Sequence, residues 1–170
     1  MVDLVFDIET TGLSPLTGRV TCISWAVAPH GIVMSSCHVD ERSILEDFWN
    51  FVRDNNVSRL VGYNSSRFDV PFVMFRSVVC NVNGKSFLDY HSQLDLFACV
   101  NGSQRVYSGM RGKLGEVCGL LGIQHDCSFT GKDCLEAWRK KDLDSIKGHC
   151  EDDVRSTLQL YNRFKGCGFI

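Results

Sequence analysis

Hydrophobic and polar positions along this chain switch between two periods. Val2 to Ile8 is a short apolar run interrupted by acids and closed by Thr10-Thr11-Gly12, which predicts a buried strand ending in a turn. Arg19 to Val27, rich in Val, Ile, Thr and Trp, predicts a second strand. Ile32 to Val39 predicts a third, with Pro29-His30-Gly31 as the hairpin turn between them. The chain therefore opens as an antiparallel meander. The period then changes: Ile44, Leu45, Phe48, Phe51 and Val52 recur on one helical face. Ser43 with Glu46 forms a candidate capping box, Asp40 is a competing cap, and Asn55-Asn56 marks the stop. Arg59 to Tyr63 predicts a short fourth strand. A helix from Asp69 to about Val79, apolar almost all round and with Pro71 in its first turn, follows it.

In the second half, Cys80 to Tyr90 reads as a loop and Gln93 to Phe97 as a short fifth strand, with Asp95 as a structural or capping acid. Asn101 to Arg111 is a polar, glycine-containing loop carrying Arg105, Tyr107 and Arg111, with Lys113 just beyond. A solvated loop is the simpler reading, and contact with a phosphate backbone the functional one. Leu114, Val117, Cys118, Leu120 and Leu121 predict a helix stopped by Gly122. His125 to Gly131 reads as a loop in which nothing nearby completes a metal set around His125, Asp126 and Cys127. A short helix around Asp133 to Lys140 should turn Trp138 inward. The last helix, about Leu143 to Phe164, carries the stripe Ile146, Cys150, Val154, Thr157/Leu158 and Tyr161. Gly166-Cys167-Gly168 reads as a fraying terminus. The order predicts one α/β domain over residues 1–165 followed by a short tail, with helices flanking a mixed five-stranded sheet that combines an antiparallel meander with parallel strands.

Composition narrows the class. The 170 residues are 44% apolar and 22% charged, as in an ordinary globular protein, and the net charge of −2 gives no broad basic field for nucleic acid. The start, Met1-Val2-Asp3-Leu4, has neither the basic region nor the apolar segment of a signal peptide, and no run is long enough to span a membrane. The expectation is an intracellular, cytoplasmic protein with no membrane partner. The nine cysteines are scattered with no Cys-x-x-Cys pair, so a zinc site is poorly supported and reduced thiols are expected, with Cys22 and Cys118 as small core residues.

The candidate chemistry is carboxylate chemistry. Asp7 and Glu9 lie two apart on a buried strand, hence on one face, and two carboxylates so close repel unless a proton or a cation sits between them. Magnesium-like cations accept such oxygen ligands. Asp69 alone reads as a helix cap, but the fourth strand should end at the same sheet edge as the first and bring Asp69 towards Asp7 and Glu9. His149 and Asp153 are four apart on the last helix and share a face bordering its buried stripe, while Glu151 and Asp152 should point towards solvent.

Taken together, these segments resemble the DEDD superfamily of 3′–5′ exonucleases. Phe6-Asp7-Ile8-Glu9-Thr10-Thr11-Gly12 is similar to its first motif, Gly62-Tyr63-Asn64 through Phe68-Asp69 to its second, and His149-Cys150-Glu151-Asp152-Asp153-Val154 stands where the third belongs. The nearest branch is the proofreading domain of family B DNA polymerases and related stand-alone proteins. The resemblance implies a ribonuclease-H-like fold and hydrolysis of phosphodiester bonds from the 3′ end of nucleic acid, DNA favoured and RNA possible, releasing nucleoside 5′-monophosphates. It also implies two divalent cations, Mg2+ or Mn2+. Asp7 would bridge both, Glu9 and Asp153 would hold the one serving the attacking water, and Asp69 would support the second. Thr10, Thr11 and Leu13 would lie against the terminal nucleotide, and Asn64 and Phe68 would shape the same pocket. Implied partners are single-stranded nucleic acid or a frayed 3′ end, and a replication, repair or RNA-processing protein. One position departs from the pattern: the family has Tyr with three residues before the last Asp, or His with four, whereas His149-x-x-x-Asp153 puts His at the Tyr spacing. A histidine there offers a group able to orient or deprotonate a water. A weakly active or inactive nuclease-fold module that binds nucleic acid or a protein is the competing expectation.

Overall fold

The computed structural model describes residues 2–87, 92–101 and 112–170. It contains β1 (Asp3–Thr10), β2 (Val20–Val27), β3 (Met34–Cys37), α1 (Glu41–Asp54), β4 (Arg59–Gly62), α2 (Asp69–Val79), β5 (Gln93–Asp95), α3 (Leu96–Asn101), α4 (Leu114–Leu121), α5 (Gly131–Lys140) and α6 (Leu143–Gly166). The strands form one five-stranded sheet in the order β3-β2-β1-β4-β5. β1 to β3 pair antiparallel, whereas β4 runs parallel to β1 and β5 parallel to β4, which is the mixed sheet expected from sequence.

The period-two pattern of β1 sorts its side chains between two layers. Leu4, Phe6 and Ile8 join Ile44, Leu45, Phe48, Trp49, Phe72 and Val73 in the core beneath α1 and α2. Val5 joins Val154, Leu160 and Tyr161 of α6 in the opposite core. Asp3, Asp7 and Glu9 alternate with Leu4, Phe6 and Ile8, so they share the Val5 face and look towards α6. At the far end of that face Asp3 accepts from Arg59 (Nη2–Oδ2 2.6 Å) and from the Tyr161 hydroxyl (2.7 Å). Burial tends to raise its pKa, but these two hydrogen bonds and the charges of Arg59 and Lys165 hold it below the usual carboxylate range.

Several predicted boundaries move. Asp40 caps α1 by accepting from the Ser43 backbone N–H, in place of a Ser43–Glu46 box. Phe68 stands at the N-cap of α2, so Asp69 is a first-turn residue and not the cap. The third strand is shorter than its pattern, because Ile32 and Val39 are exposed outside the pairing. Gln93 to Phe97 is strand only to Asp95, after which the chain turns into α3, an ambiguity inherent in short apolar runs. Trp138 is only half-buried, while Cys134 and Ala137 of α5 are buried. The C-terminal residues fold back instead of fraying: Phe169 N–H donates to Phe164 O, and Ile170 packs against the α6-side core. The expected contacts of Arg105, Tyr107 and Arg111 lie outside the described residues.

A buried ion pair fastens the loop after β1. Arg76 of α2 donates to both Glu41 oxygens (2.9 and 2.6 Å) and to Pro15 O, while Glu41 Oε1 also accepts from Val20 N–H. Removing one partner of a buried pair leaves an uncompensated charge. Glu41→Ala is therefore expected to lower the unfolding free energy by about 3–5 kcal/mol in urea titrations, with the native circular dichroism spectrum retained in the absence of urea.

Candidate active site

The sheet carries Asp7 and Glu9 to the end of β1, where its pairing with β2 shifts register between Glu9 and Thr10. α6 crosses this end and supplies Asp153, and oxygens of Asp7, Glu9 and Asp153 lie within 4.8 Å of one another. Asp69 stands in the first turn of α2, delivered by the loop that follows β4. That loop needs a close approach: a Cβ on Gly62 would collide with the Ser65 side chain. Asn64 turns it with φ 65°. Asp95 staples it, accepting from Asn64 N–H (2.8 Å), Ser66 N–H (3.2 Å) and Ser66 Oγ (2.5 Å), which makes Asp95 the structural acid expected. Pro71 is tolerated because the first-turn N–H groups of a helix have no helical partner.

The electrostatics of the cluster are unusual. Glu9 and Asp69 are buried, and among the described residues no Lys or Arg pairs with Asp7, Glu9, Asp69 or Asp153. Burial drives the Asp7 carboxyl well above its ordinary range, with added repulsion from Cys150, Asp153, Asp69 and Glu9. Burial raises Glu9 to about 8 despite a hydrogen bond from Cys134, and the charges of Asp153 and Asp69 push the same way. Asp69 rises to about 7, again chiefly by burial, against the pull of backbone N–H groups of Asp69 and Ile8. Asp153 is raised by burial, with His149 and His125 opposing. Its Oδ1 is buried without a hydrogen-bond partner among the described residues. Clustered carboxylate oxygens, excess negative charge and an unsatisfied buried oxygen are the donor set of a hard divalent cation, so the residues fit magnesium or manganese.

His149 lies between two of the acids, with Nε2 3.4 Å from Glu9 Oε1 and 4.0 Å from Asp153 Oδ2. Its ring meets Phe129 at a centroid distance of 5.1 Å. Of the residues expected near a terminal nucleotide, Thr10 bonds Gly12 O through its hydroxyl, and Thr11 Oγ1 accepts from Arg19 N–H. Leu13 projects from the loop after β1 87% exposed, a large apolar side chain left in water. Asn64 lies in the loop that delivers Asp69, and Phe68 is half-buried against Phe72.

Five neighbours were not assigned to the site from sequence. His125 is brought to Asp152 (3.3 Å) and Asp153 (3.6 Å), so the loop expected to be chemically idle is tied to α6. Asp152 accepts from Asp126 N–H, and Glu151 from Ser35 Oγ and Arg155, so both acids are engaged and not simply solvated. Cys150 Sγ reaches Asp7 O (3.4 Å) and Asp7 Oδ2 (3.7 Å), and Cys134 lies with Glu9 and His149. Only helical spacing, which buries Cys134 with Ala137 and Cys150 with Ile146, could have flagged the two thiols.

A carboxyl whose pKa is higher in the folded protein than in the unfolded chain costs stability once the unfolded group ionises. Below about pH 4 both states are protonated and the penalty is absent. As pH rises through the range ending at about 7 for Asp69 and about 8 for Glu9, the unfolded chain ionises first and stability falls. Asp3, with a lowered pKa, acts oppositely and only at more acidic pH. The metal-free protein is thus expected to melt at progressively lower temperature from about pH 5 to pH 8, and magnesium or manganese should restore the loss most at the upper end. Melting curves in chelator and in metal check this.

The comparisons place this geometry in a family. Residues 4–165 match the model of the RNase H superfamily. An uncharacterized protein of Methanocaldococcus jannaschii is 30% identical, aligned over all of this chain and 99% of its own length. The family B DNA polymerase of the hyperthermophilic archaeon Pyrobaculum calidifontis superposes on 97% of this chain with a TM-score of 0.78 at 22% identity, a likeness of fold. The chain spans about a quarter of that polymerase, 24% of its length. On the extent of the family match, the chain belongs to the RNase H superfamily.

Proposed function

We propose that this protein is a metal-dependent 3′–5′ exonuclease that acts on single-stranded or frayed 3′ ends, DNA favoured over RNA, and releases nucleoside 5′-monophosphates. The observation that carries the reading is the convergence of Asp7, Glu9, Asp69 and Asp153, in the order of the DEDD motifs, at one end of the sheet where no Lys or Arg among the described residues pairs with them. The structural likeness to a DNA polymerase supports the choice of DNA.

Magnesium or manganese held by these four carboxylates would supply activation of a water and stabilisation of charge on the phosphate and the leaving 3′ oxygen. The rest of the work falls to side chains. Asp7, central on β1 and felt by each of the other acids, organises the cluster. His149, nine-tenths buried, has Nε2 where it can take the proton a water gives up as it attacks phosphorus. Leu13 offers its exposed face to the terminal base, with Thr10 and Thr11 bonded in the turn around it and Asn64 and Phe68 shaping the same pocket. The net charge of −2 makes binding weak and salt-sensitive without a partner that supplies positive surface, such as a replication, repair or RNA-processing protein. Histidine at the Tyr spacing favours one other reading, a module that binds without cleaving.

Oligonucleotides labelled at either end, in DNA and RNA and in single- and double-stranded form, separate the two. Shortening from the 3′ end in magnesium or manganese, stopped by chelator and abolished by Asp7→Ala, is expected. His149→Ala should lower kcat by about 10²–10⁴-fold. No shortening of any substrate, or shortening that survives Asp7→Ala, would refute the exonuclease assignment.

A further inference from the structure

The acid cluster borders a buried thiol, Cys134, that the proposed hydrolysis does not use. Glu9, Cys134 and His149 also place one carboxylate oxygen, one thiol and one imidazole nitrogen within 4.8 Å of one another. The three come from β1, α5 and α6, so the site exists only once the layers are packed. We propose that these residues bind a borderline-soft dication of the zinc class in a site that shares Glu9 with the all-oxygen cluster.

The donor set is the first argument. Thiolate, imidazole and carboxylate are zinc's three ordinary ligand types, and three protein ligands with an open fourth position describe an exchangeable site, not a closed structural one. Carboxylates alone suit magnesium, whereas a thiol selects for zinc, cobalt or copper. Asp7, Glu9 and Asp153 therefore form one selectivity class and Glu9, Cys134 and His149 another.

Geometry agrees. His149 Nε2 lies 3.4 Å from Glu9 Oε1. The edge of a tetrahedron with zinc–nitrogen and zinc–oxygen bonds of about 2.0–2.2 Å is also about 3.4 Å. His149 is nine-tenths buried, and among the described residues its Nε2 makes no hydrogen bond, so the nitrogen that faces Glu9 is not committed to another partner. Cys134 is 1% exposed and stands against the Glu9 carboxylate. The neighbouring His125, Asp152 and Asp153 set is a weaker candidate, because His125 already meets Ser156 Oγ and Asp152 already accepts from Asp126 N–H.

Binding replaces the sulfur–hydrogen bond of Cys134 with a sulfur–metal bond, and the released proton passes to solvent. Occupancy also withdraws Glu9 from the all-oxygen cluster and His149 from its proposed role as general base. Zinc should then inhibit magnesium-driven cleavage, a consequence that rests on the exonuclease reading, whereas the binding itself does not.

Cobalt(II) added to the chelator-treated protein tests the site directly. The expected result is a thiolate-to-cobalt charge-transfer band in the near ultraviolet, saturating at one equivalent and bleached by one equivalent of zinc. The band should vanish in Cys134→Ser and persist in Cys150→Ser, while His149→Ala should weaken zinc binding by at least about tenfold. Absence of the band in the wild-type protein overturns the proposal without any variant having to fold. Its persistence in Cys134→Ser, or its loss in Cys150→Ser with Cys134 intact, overturns the assignment to Cys134. If magnesium alone drives no cleavage, the exonuclease reading fails, and the cobalt band still decides the metal site.

Discussion

Like charges buried together dominate this structure. Four carboxylates converge where β1 ends beneath α6, and desolvation is the leading cause of the raised pKa of every one of them. Such a cluster disfavours the folded state at neutral pH unless protons or cations are held within it. A protein that needed only a stable sheet would be better served by apolar residues at these positions. The surrounding fold can be understood as the frame that keeps the four groups together against their repulsion.

That frame is firm on each side. β1 is the central strand, paired on both edges, and its alternate residues fasten it to α1 and α2 below and to α6 above. Asp3, on the same face as Asp7 and Glu9, is neutralised by Arg59 and bonded by Tyr161, so the far end of the β1–α6 seam closes with its charge balanced. The contrast between Asp3 and the other acids lies in partners more than in burial. Asp95 fixes the loop that brings in Asp69, and the Glu41–Arg76 pair anchors the loop bearing Leu13 through Pro15.

Much of this was legible in the sequence, because it is local or periodic. The meander, the amphipathic α1, the buried α2 and the long α6 follow from hydrophobic spacing, and Asp7 with Glu9 and His149 with Asp153 share faces by the strand and helix periods. Asp69 could be assigned only by assuming that the fourth strand lies beside the first, and the parallel pairing of β1 and β4 supplies that. What escaped depends on packing between distant segments. Nothing around Cys134 in sequence points to Glu9, and the absence of a Cys-x-x-Cys pair argued against any thiol metal site. His125 looked isolated because Asp152 and Asp153 reach it from another helix. β3 was drawn too long at both ends because Ile32 and Val39 are apolar yet unpaired, and α3 was missed because the short apolar run at its start satisfies strand and helix alike.

The proposed role of the buried acids is to bind divalent cations and not to stabilise the fold. Titration of the chelator-treated protein with manganese, followed by the electron paramagnetic resonance signal of the free ion, tests this without any assumption about substrate. The account predicts saturable uptake of two manganese ions per chain, with both sites weakened in Asp7→Asn because Asp7 would be shared between them. Absence of saturable uptake by the folded wild-type protein, or equal uptake by Asp7→Asn, would contradict it.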